Sequence, residues 1–77
     1  MQEPVEVECY SGHTYAQRPR AFTWRGRCYQ VQAVERAWRT PQGPCFLVRA
    51  QEGSGFELVY DEQKDAWFLG INYHDVR

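Results

Sequence analysis

The sequence predicts an all-β fold: a single small antiparallel meander of five or six strands, barrel-like or strongly twisted, with residues 1–77 forming one β domain. Three observations carry that expectation. Apolar residues fall on alternate positions in segment after segment, the period of a half-buried strand and not of a helix. Gly- and Pro-rich punctuation recurs at short intervals, so the connections are too short for parallel crossovers. Three Trp, five Tyr and four Phe make 16% of the chain aromatic. At about 150–250 Å² buried by each, they can close a small core without disulfides.

The elements follow in order. Val5, Val7 and Cys9 alternate with Glu6 and Glu8 in a first strand at about 4–10. The stretch from Ser11 to Pro19 is the one long connection, and it has no apolar stripe to support a stable helix. Phe22 and Trp24 flank Thr23 in a second strand at about 20–24. Arg25-Gly26 then reads as a two-residue hairpin turn, with Gly26 supplying a positive φ. Tyr29, Val31 and Ala33 mark a third strand at about 27–36, and TPQGP (Thr40 to Pro44) is the next turn. Phe46 and Val48 share a face of a fourth strand at about 44–50, which QEGSG (Gln51 to Gly55) closes. Phe56, Leu58 and Tyr60 stripe a fifth at about 56–61. After DEQKD (Asp61 to Asp65), Trp67, Leu69, Ile71 and Tyr73 stripe a sixth at about 66–73. A flat sheet cannot hide such stripes from water, so the meander must curl.

Charge is unevenly placed. Residues 1–10 carry −3, residues 11–49 carry +6 and residues 50–77 carry −4, which sum to the net charge of −1. No run approaches the roughly 18 apolar residues of a membrane helix, and the first residues are acidic where a signal peptide is basic and then apolar. The expectation is a cytoplasmic protein with no membrane partner. Cys9, Cys28 and Cys45 are odd in number and lack a C-x-x-C, so they read as small buried thiols in a reducing compartment. A zinc site from Cys9, His13, Cys28 and Cys45 has the ligand count but not the paired spacing, so no metal and no cofactor is expected.

Catalysis needs a nucleophile, a base and an orienting group held together, and no such set stands out. His13 and His74 have no partner pattern, and Asp61, Glu62 and Asp65 read as a solvated turn. The glycines open no helix, so they form no phosphate loop. The chain therefore reads as non-enzymatic, with no catalytic residues.

One segment stands apart. In RPRAFTWRGRCYQV, Arg18, Arg20, Arg25 and Arg27 are interleaved with Phe22, Trp24 and Tyr29. Eight Arg stand against one Lys, and guanidinium groups pair bidentately with phosphate and stack on rings. With Trp38 and Arg39 further on, the candidate binding residues are Arg18, Arg20, Trp24, Arg25, Arg27, Trp38 and Arg39. Such a set on one exposed face suits single-stranded nucleic acid. The same residues equally suit a barrel in which the rings fill the core and the arginines pair with Glu6, Glu8, Glu57 or Asp61 on adjacent strands.

The segments RPRAFTWRGRCYQV, Trp38-Arg39 and CFLVRAQEGSGFELVYDEQKDAWFLGINY resemble a small bacterial family of unknown function. Similar modules resemble the C-terminal end of ImuB-like proteins, relatives of the Y-family polymerases that act in translesion DNA synthesis. The resemblance covers residues 18–73 and rests mainly on RPRAFTWRGR and DAWFL. It matches Arg20, Trp24, Arg25, Gly26, Arg27, Tyr29, Trp38, Arg39, Tyr60 and Trp67, and assigns none of them a chemical role. It implies a protein-binding accessory in a DNA-repair or replication setting. Weak single-stranded nucleic-acid binding through an Arg/aromatic face is the alternative, and a homo-oligomer joined edge to edge through the first or last strand is a third. The acidic ends would repel a polyanion, so a protein partner is favoured over nucleic acid.

Overall fold

The computed structural model describes residues 3–9 and 18–73, with the backbone alone for 71–73. Six antiparallel strands in chain order close into a barrel: β1 (Glu3–Cys9), β2 (Pro19–Trp24), β3 (Arg27–Arg39), β4 (Pro44–Ala50), β5 (Gly55–Asp61) and β6 (Ala66–Tyr73). Closure is made by β1 against β6, where Glu3, Pro4 and Val5 pair with Leu69, Phe68 and Trp67. The first and last strands thus face each other along this seam, which answers the edge problem of an open meander. Among the described residues there is no helix. Most of the long connection, with His13, and also His74 fall outside the described residues.

Curvature comes from four places where one strand carries an extra residue. The register passes over Arg20 in β2, Gln32 and Glu35 in β3, and Gly70 in β6. Each such bulge bends its strand and raises the local twist, as a six-stranded barrel requires. The bulge at Gln32 also corrects the sequence reading of β3. Val34, and not Ala33, joins Tyr29 and Val31 against the core, and Ala33 is exposed. A second interruption at Glu35 hides the continuation of the strand, so that β3 runs to Arg39 where alternation alone ends it near residue 36.

The interior is aromatic. Phe22 and Tyr29 stack at 5.1 Å, and Phe56 sits edge-on to Phe22 at 4.9 Å and 5.0 Å from Tyr29. Val48 and Leu58 complete this centre and are fully buried. Nearer one end, Trp67 lies 5.2 Å from Tyr60 and 5.9 Å from Phe46. The antiparallel order puts the start of β1, the Arg25-Gly26 turn and the 51–54 turn at one end, the hairpin end. The 40–43 and 62–65 turns lie at the other, the loop end.

The turns follow their chemistry. Arg25 (φ 54°) and Gly26 (φ 78°) are both left-handed, the pair of conformations in a two-residue type I′ hairpin whose twist matches the flanking strands. At the loop end, Thr40 and Gly43 exchange backbone hydrogen bonds of 3.0 Å, and the Glu62 N–H donates to the Gln42 carbonyl. Gly43 (φ 149°) presses so closely on β5 that a Cβ there would lie 2.2 Å from the Tyr60 carbonyl oxygen. Asp61 is buried and caps the 62–65 turn by accepting from the N–H groups of Gln63 and Lys64. The Gln42 side-chain amide also donates to it, and together these donors hold its carboxyl below the usual carboxylate range.

Candidate interaction surface

The hairpin end is held by a three-residue clasp. Glu3, at the start of β1, accepts from the Trp24 indole N–H at 2.7 Å. The Arg25 guanidinium forks onto both of its carboxylate oxygens, Nη2 at 2.6 Å and Nε at 3.3 Å. The Arg25 fork, then the indole, lowers the Glu3 carboxyl below its ordinary range. Arg25 also covers the Trp24 ring at 4.7 Å, and Trp24 packs edge-on to Phe56 at 5.7 Å. Trp24 is therefore half-buried, with one side in the core and another under a guanidinium, and offers no open ring to a stacking base.

The other arginines are dispersed. Arg20 faces Glu8 at 3.8 Å on β1, Arg39 meets Glu62 at 2.6 Å and Arg49 meets Glu35 at 2.8 Å. Arg25 and Arg27 belong to the hairpin end, whereas Arg18, Trp38 and Arg39 lie toward the loop end. The structure thus joins Trp24, Arg25 and Arg27 but not the full set of seven. Of the carboxylates expected to pair with these arginines, Glu8 does so, while Glu3 and Glu62 take the places foreseen for Glu6, Glu57 and Asp61. Arg27 and Arg36 lie over aromatic rings, Arg27 above Tyr29 at 5.1 Å and Arg36 above Trp38 at 5.5 Å.

A feature absent from the sequence reading lies on the outer wall. Trp38, Cys45, Val59, Phe68 and Pro4 are consecutive register partners across β3, β4, β5, β6 and β1. Their neighbours Phe46, Leu58, Trp67, Leu69 and Val5 pack into the interior, so pleating turns these five outward. Many outward positions elsewhere are polar, among them Glu6, Thr23, Gln30 and Arg49, with Leu47 in the adjacent row an exception, but this row is apolar throughout. Cys45 and Val59 in its middle are almost wholly covered, while Trp38 and Phe68 on either side are half-exposed and Pro4 is exposed. A cation stands at each side: Arg36 on Trp38, and Lys64, whose ammonium lies 5.4 Å from the Phe68 ring. Neither cation bridges a carboxylate among the described residues. The signal was present in the sequence. CFLV, LVY and WFL each place apolar residues on successive positions, and only alternate ones can enter a barrel.

The thiols also depart from expectation. Cys45 is buried, and burial pushes its thiol up, but Cys9 is half-buried and Cys28 is exposed on β3 opposite Thr23. The reading of three buried thiols fails at Cys28 because its alternate position points away from the core. Cys28 lines a shallow polar groove with Arg27, Gln30, Gln51 and Glu52. Among the described residues no group of His, Cys, Asp and Glu is arranged to hold a metal. The zinc alternative also needs His13, which lies outside them.

Fold and surface together define a small closed six-stranded β-barrel module with a salt-bridged hairpin end and an apolar outer row. Residues 1–45, more than half of the 77, match a family described as a domain of unknown function (DUF6504), and the chain belongs to that family. The match takes in β1 to β3, and so Trp38 and Arg36, but not Val59, Lys64 or Phe68. No curated protein and no solved structure matches the chain.

Proposed function

We propose that this barrel is a non-enzymatic protein-binding accessory that docks its partner on the outer row Trp38–Cys45–Val59–Phe68–Pro4. The observation that carries the reading is that row itself. Five successive strands each contribute an apolar residue to one continuous row on a largely polar wall, and such patches mark interaction surfaces. The arginines support it from the other side, because Arg20, Arg25 and Arg39 are already paired with carboxylates. A DNA-repair or replication setting, with an ImuB-like polymerase relative as the assembly, rests on the resemblance of RPRAFTWRGR and DAWFL. The test is a photoreactive phenylalanine analogue at position 68, compared with one at Gln30 on the polar wall, in cells that make the full chain. A discrete crosslinked protein from position 68 alone is expected. Crosslinks from both positions alike, or only nucleic-acid adducts, would contradict the reading.

A further inference from the structure

We infer that the segment docking on the outer row is a short extended peptide with an apolar, aromatic-containing centre and an acidic residue at each end. This rests on the protein-binding reading above and adds the chemistry of the partner. Arg36 and Lys64 stand at opposite sides of the row, each over a ring of that row and each without a carboxylate bridge among the described residues. A ligand lying across the strands meets Trp38 and Phe68 together with the cation that stands over each ring. Apolar contact with the half-exposed Trp38 and Phe68 rings and carboxylates beside Arg36 and Lys64 then match the groups exposed from β3 to β6.

The geometry also sets the spacing. From β3 to β6 there are three strand-to-strand steps, about 14 Å at roughly 4.8 Å each. An extended chain advances about 3.3 Å per residue, so roughly four residues span the row and the two acids stand about five apart. Glu57, whose side chain lies against Gly70 one row away toward the hairpin end, adds a negative edge that repels acids there, so the two acids of the ligand belong at the Arg36 and Lys64 ends. A partner built this way binds weakly to moderately, because the row is small and the cations are exposed.

The experiment is a nuclear magnetic resonance titration of the isotope-labelled full chain with four probes. These are a synthetic peptide with Leu-Phe-Leu-Leu between single Asp residues, its Asn-flanked and Lys-flanked counterparts, and a short oligothymidylate. The acidic peptide is expected to shift the Trp38 indole and the Val59 and Phe68 amides, and to bind at least about tenfold more tightly than the Lys-flanked one at low salt. The pair Arg36→Glu and Lys64→Glu is expected to reverse that preference, and the milder pair Arg36→Gln and Lys64→Gln to abolish it with an unchanged spectrum elsewhere. Equal binding of the acidic and Asn-flanked peptides overturns the acidic requirement while leaving the row as a protein-docking site. Shifts from oligothymidylate alone overturn both. No shift at the row from any peptide overturns this inference.

Discussion

Replacing Gly43 by Ala probes how the loop end is assembled. Two costs combine. A residue with a Cβ at φ 149° is strained by about 1–3 kcal/mol. The new methyl must also leave the Tyr60 carbonyl oxygen, only 2.2 Å away, which belongs to strand β5 and not to a side chain that can swing aside. Relief requires the 40–43 turn to lift, which breaks the Glu62 N–H to Gln42 carbonyl hydrogen bond at a further cost of about 1 kcal/mol. The sum, about 2–4 kcal/mol, is a large share of the roughly 4–12 kcal/mol available to 77 residues. Gly26→Ala is the matched control. It too has a positive φ, but nothing lies within 4 Å of its new Cβ, so only the backbone strain of about 1–2 kcal/mol applies. At about 4–8 °C per kcal/mol, Gly43→Ala melts roughly 10–30 °C lower and Gly26→Ala roughly 5–15 °C lower. Urea and thermal unfolding followed by circular dichroism give both values. A Gly43→Ala protein no less stable than Gly26→Ala would refute the docking of this turn on β5.

Other outcomes follow from the same contacts. Phe22→Ala, at the centre of the ring cluster, loses about 3–5 kcal/mol and leaves little folded barrel at physiological temperature, as the near-ultraviolet dichroism of the aromatic residues will show. Native labelling with a thiol reagent, read by mass spectrometry, modifies exposed Cys28 first and buried Cys45 only on unfolding, so rapid modification of Cys45 would contradict its place in the wall. Glu3, Glu35 and Asp61 have carboxyls held below their ordinary values in the folded chain. Their contribution is present above the ordinary carboxylate range and is lost as pH falls through the lowered folded values. The urea midpoint measured against pH should therefore drop on the acid side, and less steeply in Glu3→Gln.

Much of this architecture can be read before any coordinates are seen. The strands at Val5, Phe22, Phe46, Phe56 and Trp67 stand where alternation puts them, because the barrel interior selects every second residue. The Arg25-Gly26 hairpin is equally legible, since short turns demand particular backbone conformations. What escapes is whatever depends on register. Nothing in the local sequence marks Gln32 or Glu35 as extra residues, so the inward turn of Val34 and the length of β3 become visible only with β4 in place. The arginines illustrate the same limit. Four of them within ten residues look like one face, yet strand direction sends Arg18 and Arg25 to opposite ends of β2. The outer row is a cross-strand property as well: its five members lie far apart in sequence and meet only through pairing.

The central claim is that the arginines of the β2–β3 hairpin hold the barrel together and do not hold a polyanion. The most direct test is the binding of a labelled single-stranded oligonucleotide measured by anisotropy as salt is varied, for the unaltered chain and for the Arg25→Ala, Arg27→Ala pair. With Arg25 forked onto Glu3 and Arg20 and Arg39 facing their own carboxylates, the account predicts little binding at low salt and no change with the double substitution. Four free phosphate contacts, from Arg18, Arg20, Arg25 and Arg27, would instead give a log-affinity against log-salt slope of roughly −3. A slope near that value, lost in the Arg25→Ala, Arg27→Ala protein, would contradict the account.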